Sequence, residues 1–165
     1  MFRSQRGFTL LELLITIAIL GILAGIAGIN MRYAIAKNDL ITMTNQLAGD
    51  IRTMQQLSME KAIDDTSAVV NLTFHTDSYQ IITDQTAGTG LPSRSLPASI
   101  SLTTSSGNTL SFNPGNLASN SAAMITLTSN ILPAGENKQT IIISRMTGRI
   151  RIDTSATPAY RAEEI

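Results

Sequence analysis

An apolar block near the N-terminus constrains the fold of this chain more than any other feature. Between Phe8 and Ile29 the only polar side chains are those of Thr9, Glu12 and Thr16. An α-helix rises ~1.5 Å per residue, so a helix over this block would be long enough to cross the hydrocarbon core of a bilayer. We therefore expect a membrane-spanning helix in this part of the chain.

The residues before the block predict its orientation. The first seven residues contain Arg3 and Arg6 and no acidic residue. Because basic residues flanking a span stay on the cytoplasmic side, the N-terminus is expected inside the cell. This places the protein in the inner membrane as a single-pass subunit, with its larger part in the periplasm.

Two ordinary interpretations of the block are a secretory signal peptide and a plain membrane anchor. A signal peptide has a shorter apolar region, ~7–15 residues, followed by a small-residue cleavage site. Residues 27–30, Ala-Gly-Ile-Asn, fit such a site poorly. A plain anchor leaves Glu12 unexplained, because an ionisable group within a membrane segment is costly and needs a partner or a function.

A third interpretation rests on residues 6–14, which read Arg-Gly-Phe-Thr-Leu-Leu-Glu-Leu-Leu. This motif closely resembles the class III signal of type IV prepilins and type II secretion pseudopilins. The resemblance implies that a prepilin peptidase cuts after Gly7 and N-methylates Phe8, the new N-terminal residue. It also assigns Glu12 a role in assembly. That carboxylate can pair with the Phe8 amine of a neighbouring subunit and fix the register, since an unpaired buried charge is heavily penalised.

The resemblance implies a structural role rather than an enzymatic one. The chain would be a minor pilin or pseudopilin, and its partners would be the prepilin peptidase, other pilin or pseudopilin subunits and the inner membrane. Many major pilins have a proline near the end of the apolar segment, whereas this chain has none before Pro92. That departure favours a minor subunit of a type IV pilus or of a type II secretion pseudopilus.

A helical period continues beyond the apolar block. From Tyr33 to Leu57, apolar residues recur every three or four positions, and no proline interrupts the chain. We expect one continuous helix whose second half lays an apolar stripe on a globular head. The predicted organisation is a leader at 1–7, a transmembrane or filament-core helix at 8–30, an amphipathic half at 31–63 and a β-rich head at 64–165.

The head has the period-two alternation of short strands. Three hairpins are predicted: 69–74 with 79–83, 100–103 with 109–112, and 139–144 with 149–153. A further strand is predicted at 124–128, and 84–98 is predicted as a loop. The fold class is therefore α+β, with a long N-terminal helix packed on an antiparallel sheet, the pilin fold.

Two patterns in the head resemble the GspH/FimT branch of pseudopilins. Residues 110–115 read Leu-Ser-Phe-Asn-Pro-Gly and are similar to a turn of that branch. Residues 141–144, Ile-Ile-Ile-Ser, followed by 148–152, Gly-Arg-Ile-Arg-Ile, are similar to its closing hairpin.

The closing hairpin is basic. Four cations lie within a stretch that contains no acid: Lys138, Arg145, Arg149 and Arg151. If Ile150 and Ile152 face the core, Arg149 and Arg151 share the outer face, about 6–7 Å apart. In FimT-like minor pilins a Gly-Arg-x-Arg element is attributed to DNA binding, and residues 148–151 match it. The alternative is that these arginines protect a sheet edge, as alternating charges often do.

Other functional classes have little support in the sequence. The 12 basic and 12 acidic residues balance, which argues against bulk electrostatic binding of nucleic acid. The absence of cysteine excludes disulfides and thiolate metal sites. His75, the one histidine, is predicted in an exposed turn. We expect no enzymatic activity, no cofactor, no catalytic residue and no metal site.

Overall fold

The structure, a computed structural model, describes residues 8–61, 69–84, 88–105, 107–119, 123–155 and 158. It divides into two units, Met1–Ile35 and Ala36–Ile165. The predicted leader at 1–7, with the cleavage-site residue Gly7, lies outside the described residues.

One helix, α1, runs from Leu10 to Glu60 without interruption. It crosses the boundary between the two units. Within the described ranges, no helix combines the length and the apolar content needed to cross a bilayer.

The second half of α1 buries one stripe in the head. Its buried apolar residues follow helical spacing and join the apolar cluster of the head: Ala36, Leu40, Leu47, Ala48, Ile51 and Met54. Tyr33, at the start of the predicted stripe, is instead exposed, so the buried stripe begins at Ala36.

The head contains two antiparallel sheets. The first is built from β1 (Val70–Phe74), β2 (Ser78–Asp84), β3 (Thr89–Gly90), β4 (Arg94–Ser95) and β6 (Thr109–Phe112). The second is built from β5 (Ile100–Thr104), β7 (Ala123–Ser129), β8 (Lys138–Ile143) and β9 (Ile150–Asp153). The strand orders are β3-β2-β1-β6, with β4 also on β2, and β5-β7-β8-β9. The predicted α+β class with antiparallel strands is confirmed.

The first and last predicted hairpins are present, but the second is wrong. β5 pairs with β7, and β6 pairs with β1, so the chain passes from one sheet to the other between these two strands. The prediction relied on the local turn signal at 105–108. Long-range pairing decides the outcome instead, because it places Leu102 opposite Leu127 and Leu110 opposite Leu72, all four buried.

The segment predicted as a loop at 84–98 contains β3 and β4 and is fastened to α1. The Tyr79 hydroxyl donates to Asp50 Oδ2 at 2.8 Å, and Arg94 Nε lies 2.9 Å from the same oxygen. Burial, followed by the neighbouring Asp50 carboxylate, raises the pKa of Tyr79 well above its usual range. The phenol therefore stays protonated and acts as a donor to α1.

Candidate functional site

The N-terminal end of α1 is closed by Thr9 and Glu12. The Thr9 backbone N–H donates to Glu12 Oε2 at 3.2 Å, and the Thr9 hydroxyl donates to the same oxygen at 3.2 Å. In return, the Glu12 backbone N–H donates to Thr9 Oγ1 at 3.3 Å. This reciprocal pair is a capping box, which satisfies amides that have no partner within the helix.

Glu12 therefore has a role within its own chain that the sequence analysis missed. The Thr-x-x-Glu spacing before an apolar run was the signal that could have revealed it. A carboxylate at this position also interacts favourably with the positive end of the helix dipole. Both bonds use Oε2, so the cap does not require Oε1, and Glu12 lies one helical turn from the residue predicted to become the mature N-terminus.

The surface around this cap is apolar on every side. Phe8 is 86% exposed and Leu10 is 82% exposed, and all described side chains from 8 to 25 are exposed. The large apolar members are Phe8, Leu10, Leu11, Leu13, Leu14, Ile15, Ile17, Ile19, Leu20, Ile22 and Leu23. A helix that is apolar all round belongs in an apolar environment, so this segment requires a cover that the chain itself does not supply within the described residues.

The closing turn between β8 and β9 is held against α1. Ser144 and Arg149 join across the turn, with Ser144 N donating to Arg149 O at 3.0 Å. The Gln55 side-chain amide donates to Gly148 O at 2.6 Å and to Leu117 O at 3.0 Å. One side chain of the helix thus fixes both this turn and the segment that follows β6.

The arginines of the closing hairpin occupy different environments. Arg145 and Arg149 are exposed, but Arg149 precedes β9 instead of lying within it. Arg151 is partly buried, and its Nη1 lies 2.7 Å from Asp153 Oδ2. Arg149 and Arg151 are therefore not equivalent, because Arg149 is exposed before β9, whereas Arg151 is partly buried within β9 and paired with Asp153.

The neighbouring isoleucines depart from expectation as well. The register places Ile152 opposite Ile141 and Arg151 opposite Ile142. Ile152 is 36% exposed because it lies on the edge strand, whereas Ile142 is fully buried on the same face as Arg151. Ile152 is thus more exposed than Arg151, the reverse of the burial that the alternation predicted.

The hydrogen bonds around Asp153 lower the pKa of its carboxyl from 3.8 to about 2. The largest cause is the Ser155 backbone N–H, which donates to Oδ1 at 2.9 Å, followed by the Ser155 side chain and then Arg151. All three stabilise the charged form.

A pH titration should reveal this arrangement. Because the pKa of Asp153 is lowered in the folded state, its contribution to stability is present above 3.8 and is lost as the pH falls towards about 2. Carboxyl carbon NMR should give a midpoint near the lower value. Arg151→Gln should raise the midpoint only part of the way, since the Ser155 contacts remain. A midpoint near 3.8 in the unmodified protein would contradict the geometry.

His75 lies in the exposed β1–β2 turn, as predicted, and its backbone N–H donates to Ser78 O at 2.8 Å. Within the described ranges, no three His, Asp or Glu side chains converge in a way that could hold a metal ion.

Comparisons with known proteins bear on the N-terminal segment. Residues 2–28 match the family described as the prokaryotic N-terminal methylation motif. No curated protein and no solved structure gave a significant match to the chain. The matched segment contains the capping box and most of the exposed apolar residues. The match supports a type IV pilin-like prepilin leader at the N-terminus, of the kind that a prepilin peptidase processes.

Proposed function

We propose that this chain is a minor pilin or pseudopilin that is cut after Gly7, methylated on Phe8 and assembled through its N-terminal helix into a type IV pilus or a type II secretion pseudopilus. The observation that carries the proposal is the methylation motif at the start of a helix whose described side chains are exposed and apolar from Leu10 to Leu23, apart from Glu12, Thr16 and small residues.

The physical reason is that the exposed apolar segment has to be covered by another apolar surface. The head has its own core, whereas the apolar side chains of Met1–Ile35 that the structure describes are exposed. Packing such helices side by side in a filament would remove this surface from water at about 25 cal/mol per Å². Before assembly, the N-terminal region would hold the subunit at the inner membrane with its head in the periplasm.

Membership of the GspH/FimT branch is part of the proposal. The predicted turn at 110–115 packs on α1: the Ser58 hydroxyl donates to Asn113 O, and Gly115 N donates to Ser58 O at 2.8 Å. The uninterrupted α1 also supports a minor subunit, because the chain lacks the proline that many major pilins carry near the end of the apolar segment. We propose a structural subunit and not an enzyme.

Intact-mass analysis tests the proposed processing directly. In cells with a prepilin peptidase, the mature protein should lack residues 1–7 and carry one methyl group on the Phe8 amine. In cells without the peptidase, the full chain should persist, and Gly7→Val should block the cut in either background. Unprocessed protein in peptidase-positive cells, or a cut elsewhere, would overturn the proposal.

DNA binding by the closing hairpin is a second candidate. It is favoured by the exposed Arg145 and Arg149 on a turn that Gln55 holds in place, and it is weakened by the pairing of Arg151 with Asp153. The full chain in detergent should bind DNA with an affinity that falls as salt rises. Binding should be reduced in Arg149→Ala/Arg151→Ala. Absence of binding at low salt would eliminate this candidate.

A further inference from the structure

The two edges of the second sheet differ in chemistry. β9 carries Arg151 and Asp153, charges of the kind that discourage unwanted strand pairing. β5, at the opposite edge, reads Ile-Ser-Leu-Thr-Thr and has no charge, no proline and no bulge in its register with β7. An unprotected edge strand is either an aggregation hazard or a docking site for another strand.

The hydrogen-bond pattern shows which groups of β5 face outwards. Asn130 N donates to Ser99 O, and Ser105 N donates to Met124 O, both at 2.9 Å and both in the β5–β7 register. In an antiparallel ladder, residues alternate between bonding to the partner and pointing away from it. The N–H and C=O groups of Leu102 and Thr104 therefore point away from β7.

This edge opens onto a groove. A cavity of about 700 Å³ is lined on one side by residues 102–104 and on the other by Phe74 at the end of β1 and residues 75–77 of the β1–β2 turn, and it ends at Gly107 and Asn108. It lies where β5 and β6 part to join different sheets. Leu102 and Phe74 are buried, whereas the remaining lining is polar.

We propose that an extended segment of another polypeptide docks in this groove as an added strand on β5, pairing with the backbone of Leu102 and Thr104. Strand addition of this kind derives its affinity from main-chain hydrogen bonds and its specificity from alternate side chains. The inference does not depend on the N-terminal motif, so it can fail without affecting the proposed function.

The shape and the charge of the groove indicate which kind of segment would bind there. Because the β1–β2 turn forms the opposite wall, a single extended segment fits better than the edge of a second folded sheet. Asp77 supplies the one carboxylate among the described lining residues. The segment we propose is therefore uncharged along its centre and carries a basic side chain at the end that lies near Asp77.

Hydrogen exchange of the full chain in detergent tests the geometry. In the free protein, the amides of Leu102 and Thr104 should exchange much faster than those of Ser101 and Thr103, which pair with β7. The probe is a panel of short capped peptides that alternate β-branched and hydroxyl residues and end in Lys, in Glu or in no charge. The Lys-ended peptides should bind best and should slow exchange at Leu102 and Thr104 about tenfold or more.

Two substitutions at one position separate pairing from packing. Thr104→Pro removes an N–H that β7 does not use and should weaken peptide binding about tenfold or more. Thr104→Val loses the hydroxyl and its hydrogen bond to Gly107 O, as Thr104→Pro also does, but it keeps the N–H and should bind nearly as well as the unmodified protein. Slow exchange at Thr103 in both variants would show that the ladder is intact.

Several results would overturn the proposal. These are failure of every peptide to bind at millimolar concentration, binding without protection of Leu102 and Thr104, equal binding by the two Thr104 variants, or protection of these amides by self-association before any peptide is added.

Discussion

Replacing Gly148 with alanine is expected to destabilise the head by about 2–5 kcal/mol. Gly148 has a φ of 67°, in the left-handed region, and a Cβ added there would lie 2.1 Å from the backbone oxygen of Leu117. The substitution therefore combines backbone strain with a clash against main-chain atoms that are also bonded to Gln55. Urea-induced unfolding of the full chain in detergent would measure the change.

Gly88→Ala is the matched control for this experiment. Gly88 has nearly the same φ, 63°, but an added Cβ would meet nothing within 4 Å. Its cost should be limited to backbone strain, about 1–2 kcal/mol. Equal losses for Gly88→Ala and Gly148→Ala would show that the close approach of Leu117 is unimportant. A larger loss for Gly148→Ala than for Gly88→Ala would also show that Gly148, the glycine of the Gly-Arg element, has a packing role that is independent of any ligand.

Substitution of Glu12 is expected to reduce filament incorporation by about a hundredfold while the head stays folded. Glu12→Gln is the informative variant. Glutamine can complete a capping box with Thr9, but it cannot neutralise the Phe8 amine of a neighbouring subunit. If charge pairing drives assembly, Glu12→Gln and Glu12→Ala should both fail to enter filaments. Quantitative immunoblotting of sheared filaments against the membrane fraction would measure incorporation.

A role for Glu12 in the capping box alone predicts different results for these variants. If the cap alone mattered, Glu12→Gln would assemble normally, and Glu12→Ala and Thr9→Ala would share the same defect. Thr9→Ala is the matched control because it removes the hydroxyl that bonds with Glu12 and leaves the carboxylate in place. Normal incorporation of Glu12→Gln would refute the pairing role predicted for this carboxylate.

Local patterns predicted those parts of the fold that local forces determine. The absence of proline predicted an uninterrupted α1, and short turns predicted the pairing of β1 with β2 and of β8 with β9. The same reasoning failed at β5 and β6, because their partners are distant in sequence and are chosen by which apolar faces meet.

In the candidate site too, local sequence predicts some features, and contacts that the sequence does not reveal determine the others. The methylation motif is a contiguous signal and could be recognised from residues 6–14. The Arg151–Asp153 pair depends on rotamers as well as on alternation, so the sequence could not predict that one arginine would be neutralised. The contact of Gln55 with Leu117 and Gly148 joins segments 62 and 93 residues away, and no periodicity reveals it.

The interleaving of β5 and β6 also governs the order in which the two sheets can be completed as the chain emerges during synthesis. The first sheet lacks its last strand until Thr109–Phe112 emerges, and by then β5 has already emerged and is waiting for Ala123–Ser129. The first sheet can therefore complete its strand pairing at Phe112, whereas the second cannot begin to pair until β7 has emerged, and pairings between distant segments are slow to form. We expect the first sheet to pair before the second, and β5 to stay unpaired until β7 is available. A chain truncated between β6 and β7 should leave β5 without a partner and be open to aggregation or proteolysis.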